Sequence, residues 1–196
     1  MSYAISLLNP VTKECLNLSF KHSMYGTNIP CDEMLNPVGT TEASLGITYN
    51  YSKYYYEATD NDERFAHKDY DDEIVYGIRG IYGKTGAESI PMLKDMITRI
   101  KNKYSYIDED GKEKWIDGTR TCHIYRDKNG YAVSFDCYIR DLIDHPEEIT
   151  IEEKEYTVNE GDMSDYWEET AANAIRPLYQ LLAMAQLRPD GIWDGD

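Results

Sequence analysis

The stretch Gly77–Leu93 contains the residues whose types and spacing come nearest to a known chemistry. It reads GIRGIYGKTGAESIPML and holds four of the thirteen glycines together with a Gly-Lys-Thr. Such a tripeptide cradles nucleotide phosphates when four residues separate it from an earlier glycine, and when it follows a buried strand and opens a helix. Here five residues separate Gly77 from Gly83, residues 74–76 make a poor buried strand, and Pro91 would fall inside the required helix at a cost of about 3 kcal/mol. The stretch therefore predicts a joint that ends one helix and caps the next, and not a phosphate-binding loop.

The histidines and cysteines offer no local pattern for catalysis or metal binding. The four histidines are never three or four residues apart, the four cysteines include no CxxC pair, and no Gly-x-Ser-x-Gly occurs. The clusters Asp60–Asp62 and Asp69–Glu73 have the ligand type that Mg²⁺ prefers, but such clusters are usually solvated. A spatial arrangement of Cys31 with His22 or His67 stays open, although an incidental loop cysteine is the simpler interpretation. We therefore predict no catalytic residue, no cofactor and no metal site.

The chain is strongly acidic, with 36 Asp and Glu against 20 Lys and Arg and a net charge of −16. Residues 57–73 carry a net charge of −6 and residues 141–169 carry −11, so the acidity is concentrated in two segments. This charge opposes binding to nucleic acids and anionic membranes, and it favours either a basic partner or simple solubility. The acidic residues predicted to form a protein-binding surface are Asp60, Asp62, Glu63, Asp69, Asp71, Asp72, Glu147, Glu148, Glu152, Glu153 and Glu155.

Hydrophobic periodicity predicts an α+β fold in which a small antiparallel sheet packs with two or three helices. Residues 3–20 read as a hairpin, residues 21–44 as a long irregular connection, and residues 44–51 as a strand with period-two alternation. The run Tyr54–Tyr56 suits a half-buried sheet or a protein interface, because tyrosine combines a large apolar body with a polar tip.

Three segments have helical character. Residues 74–82 repeat apolar side chains at helical spacing and end at Gly83–Gly86. The next helix is predicted to have Ser89 as its N-cap and an apolar stripe from Met92 to Ile100. Residues 165–187 form a closing helix that Pro177 inside it should kink or split.

Residues 104–160 change to β character and predict three hairpins. The first spans residues 104–116, and the second joins residues 120–126 to 131–139 through Asn129-Gly130, a strong two-residue turn signal. This turn places Ile124 opposite Phe135 and Cys122 opposite Cys137. The third joins residues 149–151 to 156–158 around Glu152–Glu155. We therefore predict an α+β core of residues 1–103 and 161–196, interrupted by an acidic, β-rich insertion of residues 104–160.

The location predicted from the sequence is the cytoplasm. Met1 is followed by Ser-Tyr-Ala-Ile-Ser, without the basic and apolar regions of a secretory signal. No apolar stretch approaches the ~18 residues of a spanning helix. Four cysteines are too sparse for a disulfide scaffold, so free thiols in a reducing compartment are expected.

Four segments resemble those of a family of small proteins encoded by bacteriophages and integrated mobile elements. They are GTTEASLGITYNY at 39–51, GIRGIYGKTGAESIP at 77–91, DYW at 165–167 and RPDGIWDGD at 188–196. The similarity is spread over about half of the chain, and the β-rich block looks like an insertion relative to shorter members. The resemblance implies a phage-encoded protein that acts in a bacterial cytoplasm. It carries no established activity and no site residues.

Three functional hypotheses follow. The first is a non-enzymatic phage factor that blocks a basic surface of a host defence protein, in its sharpest form an anti-CRISPR-like mimic of nucleic-acid charge. The second is an enzyme that binds a nucleotide or a small phosphorylated signal, with Arg79, Lys84 and Thr85 as anion contacts at a helix start. The third is a structural or regulatory phage protein. The partner expected under the first hypothesis is a host protein, and neither nucleic acid nor a membrane.

Overall fold

The computed structural model describes residues 2–19, 31–34, 36, 38–69, 71–135, 149–157 and 168–196. Its strands are β1 (Ser2–Leu8), β2 (Asn17–Ser19), β3 (Thr40–Glu42), β4 (Ser44–Thr48), β5 (His67–Lys68), β6 (Ile74–Val75), β7 (Ser105–Ile107), β8 (Glu113–Trp115), β9 (Thr119–Arg126), β10 (Ala132–Phe135), β11 (Thr150–Thr157) and β12 (Ile192–Gly195). Its α-helices are α1 (Ser52–Thr59), α2 (Gly86–Tyr104) and α3 (Ala171–Leu187), and short 3₁₀ turns occur at Tyr49–Tyr51, Glu63–Phe65 and Ile78–Ile81. This combination of helices and small antiparallel sheets confirms the predicted α+β class.

The central sheet has the order β12-β1-β4, with both outer strands antiparallel to β1. Alternation along β1 buries Tyr3, Ile5 and Leu7 on one face, where they join the hydrophobic core formed with the helices. Leu7 lies opposite Trp193 in the register of β1 with β12. Strand β12, near the C-terminal end, is therefore an edge strand of the sheet whose central strand is β1.

The hairpin predicted for residues 3–20 forms only around its turn. The N–H of Asn9 donates to the carbonyl of Glu14 at 2.8 Å, and Leu8 forms a bridge with Cys15. The N–H of Leu16 still donates to the carbonyl of Leu7 at 2.8 Å, but beyond Leu16 the prediction is wrong, because β2 pairs with β3 and not with β1. The cause is that β4 and β12 already occupy both edges of β1.

Helix α2 begins at Gly86, and the prediction that Ser89 is its N-cap is wrong. The side chain of Thr85 accepts the N–H of Glu88, and the Glu88 carboxylate accepts the N–H of Thr85, which together make a capping box. Pro91 therefore lies inside the helix, where it removes one backbone donor. The predicted apolar stripe is confirmed, since its members are buried: Met92, Leu93, Met96, Ile97 and Ile100.

Helix α3 packs against α2 and is capped by Thr170, whose side chain accepts the N–H of Asn173 at 3.2 Å. It begins at Ala171, later than predicted, and residues 158–167 lie outside the described part of the chain. The helix runs continuously through Pro177, so the predicted split does not occur. Within the described ranges, no helix combines the length and the apolar character needed to cross a membrane.

The helix predicted for residues 74–82 is wrong, and of the two environments left open for Tyr54–Tyr56, a half-buried sheet or an interface, the sheet does not occur. Ile74 and Val75 form β6, which pairs with β5, and only Ile78–Ile81 turns as a short 3₁₀ helix. Gly77 separates the two with a φ of 148°, a conformation that side chains rarely adopt. Tyr54 and Tyr55 lie instead in α1 and are fully buried in the core.

Strand β4 is shorter than predicted and ends at Thr48. The Thr48 hydroxyl accepts the N–H of Asn50 at 3.3 Å and thereby caps the 3₁₀ turn that leads into α1. The backbone has left the sheet before the tyrosines are reached, which explains why they are helical.

Two of the three hairpins predicted for residues 104–160 are confirmed. β7 pairs with β8, and β9 pairs with β10 with Ile124 opposite Phe135, as the Asn129-Gly130 turn predicts. The register shifts between Ala132 and Ser134, so the pairing next to the turn contains an irregularity that a simple two-residue hairpin would lack. The predicted pairing of Cys122 with Cys137 lies outside the described residues, which end at 135 here.

The third predicted hairpin is wrong, because residues 150–157 form the single strand β11, which pairs along its whole length with β9. The acidic run Glu152–Glu155 looked like a turn, but it contains no glycine, proline, asparagine or aspartate. Its charge is partly offset across the strands, since Arg126 pairs with Glu152 at 2.6 Å. The division of the chain into a core and an insertion stays a prediction.

A glycine substitution tests the close packing at the start of α2. A Cβ added to Gly86 would lie 2.5 Å from the carbonyl oxygen of Arg188, so Gly86→Ala should lower the free energy of unfolding by about 1–3 kcal/mol. Gly46→Ala is the matched control, because a Cβ there meets nothing within 4 Å, and its effect should stay within about 0.5 kcal/mol. Urea unfolding followed by circular dichroism measures both, and equal midpoints would contradict the close approach.

Candidate functional site

The Gly-Lys-Thr loop is occupied by the chain itself. Every backbone N–H from Gly83 to Glu88 has an acceptor: Gly83 donates to Trp193 O (2.9 Å), Lys84 to Ile81 O (3.1 Å), Thr85 to Glu88 Oε2 (2.8 Å), Gly86 to Gly191 O (2.8 Å), Ala87 to Pro189 O (3.1 Å) and Glu88 to Thr85 Oγ1 (3.2 Å). A phosphate cradle needs such N–H groups to be available. The helix does open directly after the tripeptide, against our expectation, but its first amides bind the C-terminal segment.

Trp193 anchors this contact. Its side chain is fully buried, and its Nε1 donates to the Ser89 hydroxyl at 2.7 Å, which in turn donates to the Gly86 carbonyl at 2.8 Å. Ser89 is therefore a buried acceptor for the indole and not a helix cap. The stretch that we singled out for its chemistry is a docking surface for the last strand.

Arg79 joins three of the four segments on which the family resemblance rests. Its Nε donates to the carbonyl oxygen of Asp196 at 2.8 Å, and its Nη2 donates to the Tyr49 hydroxyl at 3.2 Å. The guanidinium also lies over the Tyr3 ring, 5.2 Å from its centroid. The fourth segment, residues 165–167, lies outside the described residues. These contacts make Arg79 a positioned cation between the central sheet and the turn at 78–81.

Two cavities border the hairpin formed by β5 and β6, and we call them together the hairpin cleft. The basic cavity, about 360 Å³, has Lys68, Arg79, Lys84 and Asp196 in its wall. The aromatic cavity, about 480 Å³, is lined by Tyr56, Asp60, His67, Asp69, Ile74, Val75, Tyr76 and Arg79. The two share His67, Asp69 and Arg79, so they adjoin.

The cations of the basic cavity are mostly engaged within the chain. Arg79 is held as described above, and the ammonium of Lys68 pairs with Asp72 at 3.0 Å. His67 Nδ1 lies 3.1 Å from the Phe65 carbonyl oxygen, so in the neutral ring the Nδ1–H donates to it. Burial, opposed by the nearby Arg79, raises the pKa of Tyr82 to about 12, so this wall carries no additional anion at neutral pH.

The structure brings together two of the three residues proposed as anion contacts. Arg79 and Lys84 both line the basic cavity. Thr85 does not line it, because its hydroxyl belongs to the capping box, where it donates to Glu88 at 2.8 Å. The anion site predicted at the start of α2 is therefore not assembled as proposed.

The acidic residues predicted in segment 57–73 fall into two groups, and the first group is structural. Asp62 accepts hydrogen bonds from the guanidinium groups of Arg64 and Arg99, each at 2.7 Å, and its side chain is only 13% exposed. These hydrogen bonds, that of Arg64 first, hold the pKa of Asp62 far below its usual range. Asp69 caps the hairpin turn by accepting two backbone N–H groups at 2.9 Å, and Asp72 pairs with Lys68.

The second group, Asp60, Glu63 and Asp71, faces outward and forms what we call the acidic rim together with Glu73, which was not among the predicted residues. All four are exposed, and in the described part of the chain none forms an ion pair. Glu63 accepts a hydrogen bond from the Tyr76 hydroxyl at 3.4 Å. The charges of Glu63, first, and of Asp60 raise the pKa of Tyr76, which places both carboxylates near that hydroxyl. The acidic rim thus adjoins the aromatic cavity.

Three of the predicted acidic residues of the second segment, Glu152, Glu153 and Glu155, lie on β11. Glu152 pairs with Arg126 at 2.6 Å, and Glu153 lies 3.4 Å from His123 while its side chain stays 72% exposed. Glu155 lies opposite Thr121 in the register of β11 with β9. Glu147 and Glu148 lie outside the described residues. The structure therefore describes only three of the five acidic residues that were predicted in this segment.

The structure adds no support for the nucleophile and metal sites that the sequence left open. Cys15 is half-buried and Cys31 is exposed, while His67 lines the hairpin cleft and His22 lies outside the described residues. Among the described side chains, no group of three or more histidine, cysteine, aspartate or glutamate residues is arranged to hold a metal ion. We therefore assign no catalytic role to these residues.

Sequence reasoning missed the apolar half of the site. Tyr56 and Ile74 are 46% and 57% exposed, and together with Tyr76 they line the aromatic cavity. One signal was present, because Tyr56 and Asp60 are four residues apart and share a face once residues 52–59 are known to be helical. It was missed because no helix was predicted for residues 52–59.

Comparisons with known proteins add no relative to this picture. No protein-family model, no curated protein and no solved structure matches the chain. The geometry and the charge of the hairpin cleft are therefore the observations that bear on function.

The ion pairs of Asp62 predict a specific dependence of stability on pH. Its folded-state pKa lies below the ordinary value of about 3.9, so the ion pairs stabilise the protein above about pH 4 and are lost as the pH falls through the folded-state pKa. We expect Asp62→Asn to lower the free energy of unfolding by on the order of 1 kcal/mol at pH 7, and this difference should shrink below about pH 4. Urea unfolding at a series of pH values measures it.

Asp110→Asn is the control for this experiment, because Asp110 is exposed in the turn between β7 and β8. Its free energy of unfolding should follow that of the wild type at every pH. A difference for Asp62→Asn that stays constant or grows below pH 4 would argue against the ion pairs.

Proposed function

We propose that this chain is a non-enzymatic binding protein that uses the acidic rim to occupy a basic surface of a partner protein. The family resemblance makes a phage-encoded inhibitor of a host defence protein the most specific form, with the acidic rim standing in for nucleic-acid phosphates. The observation that carries the proposal is the set of outward carboxylates with no ion-pairing cation among the described residues, next to exposed apolar side chains. Carboxylates that are not paired with a cation of their own chain are available to a cationic partner.

The acidic rim has a rigid support, which favours binding over mere solubility. Asp62 links the turn at 63–65 to α2 through Arg99, and Arg64 reaches Asp95 of the same helix at 2.8 Å. Gly80 lets the turn at 78–81 approach the Phe65 backbone, since a Cβ there would lie 2.3 Å from Phe65 Cα. A surface fixed in this way loses little conformational entropy on association.

The nucleotide-binding alternative has less support. Lys84 and Arg79 share the basic cavity, but the backbone amides at the start of α2 and the Thr85 hydroxyl are already bonded within the chain. Anion recognition would then depend on two side chains, one of which contacts Asp196. No described feature favours a structural phage role over these two functions.

A charge-neutralising triple variant tests the proposal. Binding of the wild type to a fluorescent decalysine peptide should weaken by about tenfold or more between 50 and 300 mM NaCl, because salt screens exposed charges. Asp60→Asn combined with Glu63→Gln and Glu73→Gln should weaken binding at low salt by about tenfold, since three exposed carboxylates are removed. Fluorescence anisotropy measures both effects.

The matched control removes three other exposed acids, by Glu14→Gln, Glu33→Gln and Glu109→Gln. It has the same net charge as the triple variant and should bind within about twofold of the wild type. Equal losses in the two triple variants would mean that net charge alone drives binding and would overturn the assignment of the acidic rim. If the control holds, capture from a phage-infected bacterial lysate with the wild type and the triple variant would identify the partner.

A further inference from the structure

We infer that the aromatic cavity binds one arginine side chain of the partner, with the guanidinium stacked on Tyr56 and held by the carboxylate of Asp60. This inference rests on the proposed function and names the contact that would give it specificity. It concerns the part of the hairpin cleft that the acidic rim borders.

The ring of Tyr56 is held in place by the backbone beneath it. A Cβ on Gly77 would lie 2.8 Å from Cε1 and 2.9 Å from Cδ1 of Tyr56, so the ring packs directly on the glycine. The side chain is nevertheless 46% exposed and lines the aromatic cavity. A ring that is fixed on one side and open on the other is a suitable surface for a planar cation.

Asp60 stands where it can meet such a cation. It follows α1 four residues after Tyr56, so both project from the same face, and both line the aromatic cavity. Asp60 has no ion pair with any described residue, whereas the neighbouring Asp69 is committed to the hairpin turn. The wall also contains Arg79, whose Nε donates to the carbonyl oxygen of Asp196, so two carboxylates, Asp60 and Asp69, face one guanidinium in the lining. The unbalanced charge of the cavity is therefore negative.

The remaining wall favours arginine over lysine or an apolar side chain. Ile74 and Val75 offer an apolar surface for the methylene groups of a long side chain, and Glu63 lies beyond, at the Tyr76 hydroxyl. A guanidinium can stack on the ring and donate two parallel hydrogen bonds to a carboxylate, which an ammonium cannot do. The volume of about 480 Å³ leaves room for this group.

Binding of hexa-arginine and hexa-lysine peptides tests the inference, with Tyr56→Leu as the variant. Removing the ring should weaken hexa-arginine binding by about three- to thirtyfold and should abolish the preference for arginine over lysine. Tyr179→Leu is the control, because Tyr179 is also 46% exposed but lies on α3, outside both cavities. It should bind like the wild type. Tyr56→Phe keeps the ring and should retain most of the affinity.

Measurements on the wild type keep the test independent of variant folding. Addition of hexa-arginine should shift the amide NMR signals of Tyr56 and Gly77 more than those of β11. Salt-sensitive binding that is equal in Tyr56→Leu and Tyr179→Leu, or shifts confined to β11, would overturn the arginine site and leave the acidic surface standing. Failure of the wild type to bind either peptide at low salt would overturn the proposed function, and the arginine site with it.

Discussion

The structure depends on four backbone hydrogen bonds between the C-terminal segment and residues 83–87, and in one of them the N–H of Trp193 donates to the carbonyl of Lys84 at 2.9 Å. The carbonyl oxygens of Pro189, Gly191 and Trp193 accept the N–H groups of Ala87, Gly86 and Gly83. They place β12 beside β1 and bring the Trp193 indole to the Ser89 hydroxyl in the core. The Gly-Lys-Thr loop, which contains part of a phosphate-loop pattern, is thus used to hold the C-terminal segment.

The hairpin cleft follows from the same constraint. With β12 in place, Asp196 meets Arg79, and Arg79 fixes the turn at 78–81 against the central sheet. Strand β6 comes directly before that turn, and it pairs with β5 to form the hairpin that borders both cavities. The carboxylates of this segment have different roles, because Asp62 is hydrogen-bonded to Arg64 and Arg99 while Asp60 and Glu63 are exposed to solvent. The surface available to a partner is therefore smaller than the acidic segment as a whole.

Local patterns predicted the elements whose stability is local. The apolar stripe of α2 and the Asn129-Gly130 hairpin were found because helical periodicity and a two-residue turn depend on nearby residues alone. The prediction of a helix at residues 74–82 was wrong because Gly77 interrupts an apolar pattern that otherwise suits a helix. A hairpin was wrongly predicted where β11 lies, because the acidic run of this strand is stabilised by pairing with β9, a contact between residues distant in sequence.

The candidate site was predictable only in its charge. The acidic residues are visible in the sequence, but those bound internally, such as Asp62 with Arg99, depend on contacts between residues 37 positions apart. The place of Tyr56 in the site depends on α1, a helix that the sequence did not predict. Tertiary contacts therefore decide which acids are available, and no local pattern encodes them.

Amide hydrogen exchange, measured by NMR with and without a saturating nucleoside triphosphate, tests most directly whether the Gly-Lys-Thr loop is a docking surface for the C-terminal strand. The N–H groups of Gly83, Gly86 and Ala87 should exchange slowly in the free protein, because each is bonded to the C-terminal segment, and added nucleotide should leave their rates unchanged. Rapid exchange of these amides in the free protein, slowed by the nucleotide, would contradict that assignment and point to a phosphate-binding loop.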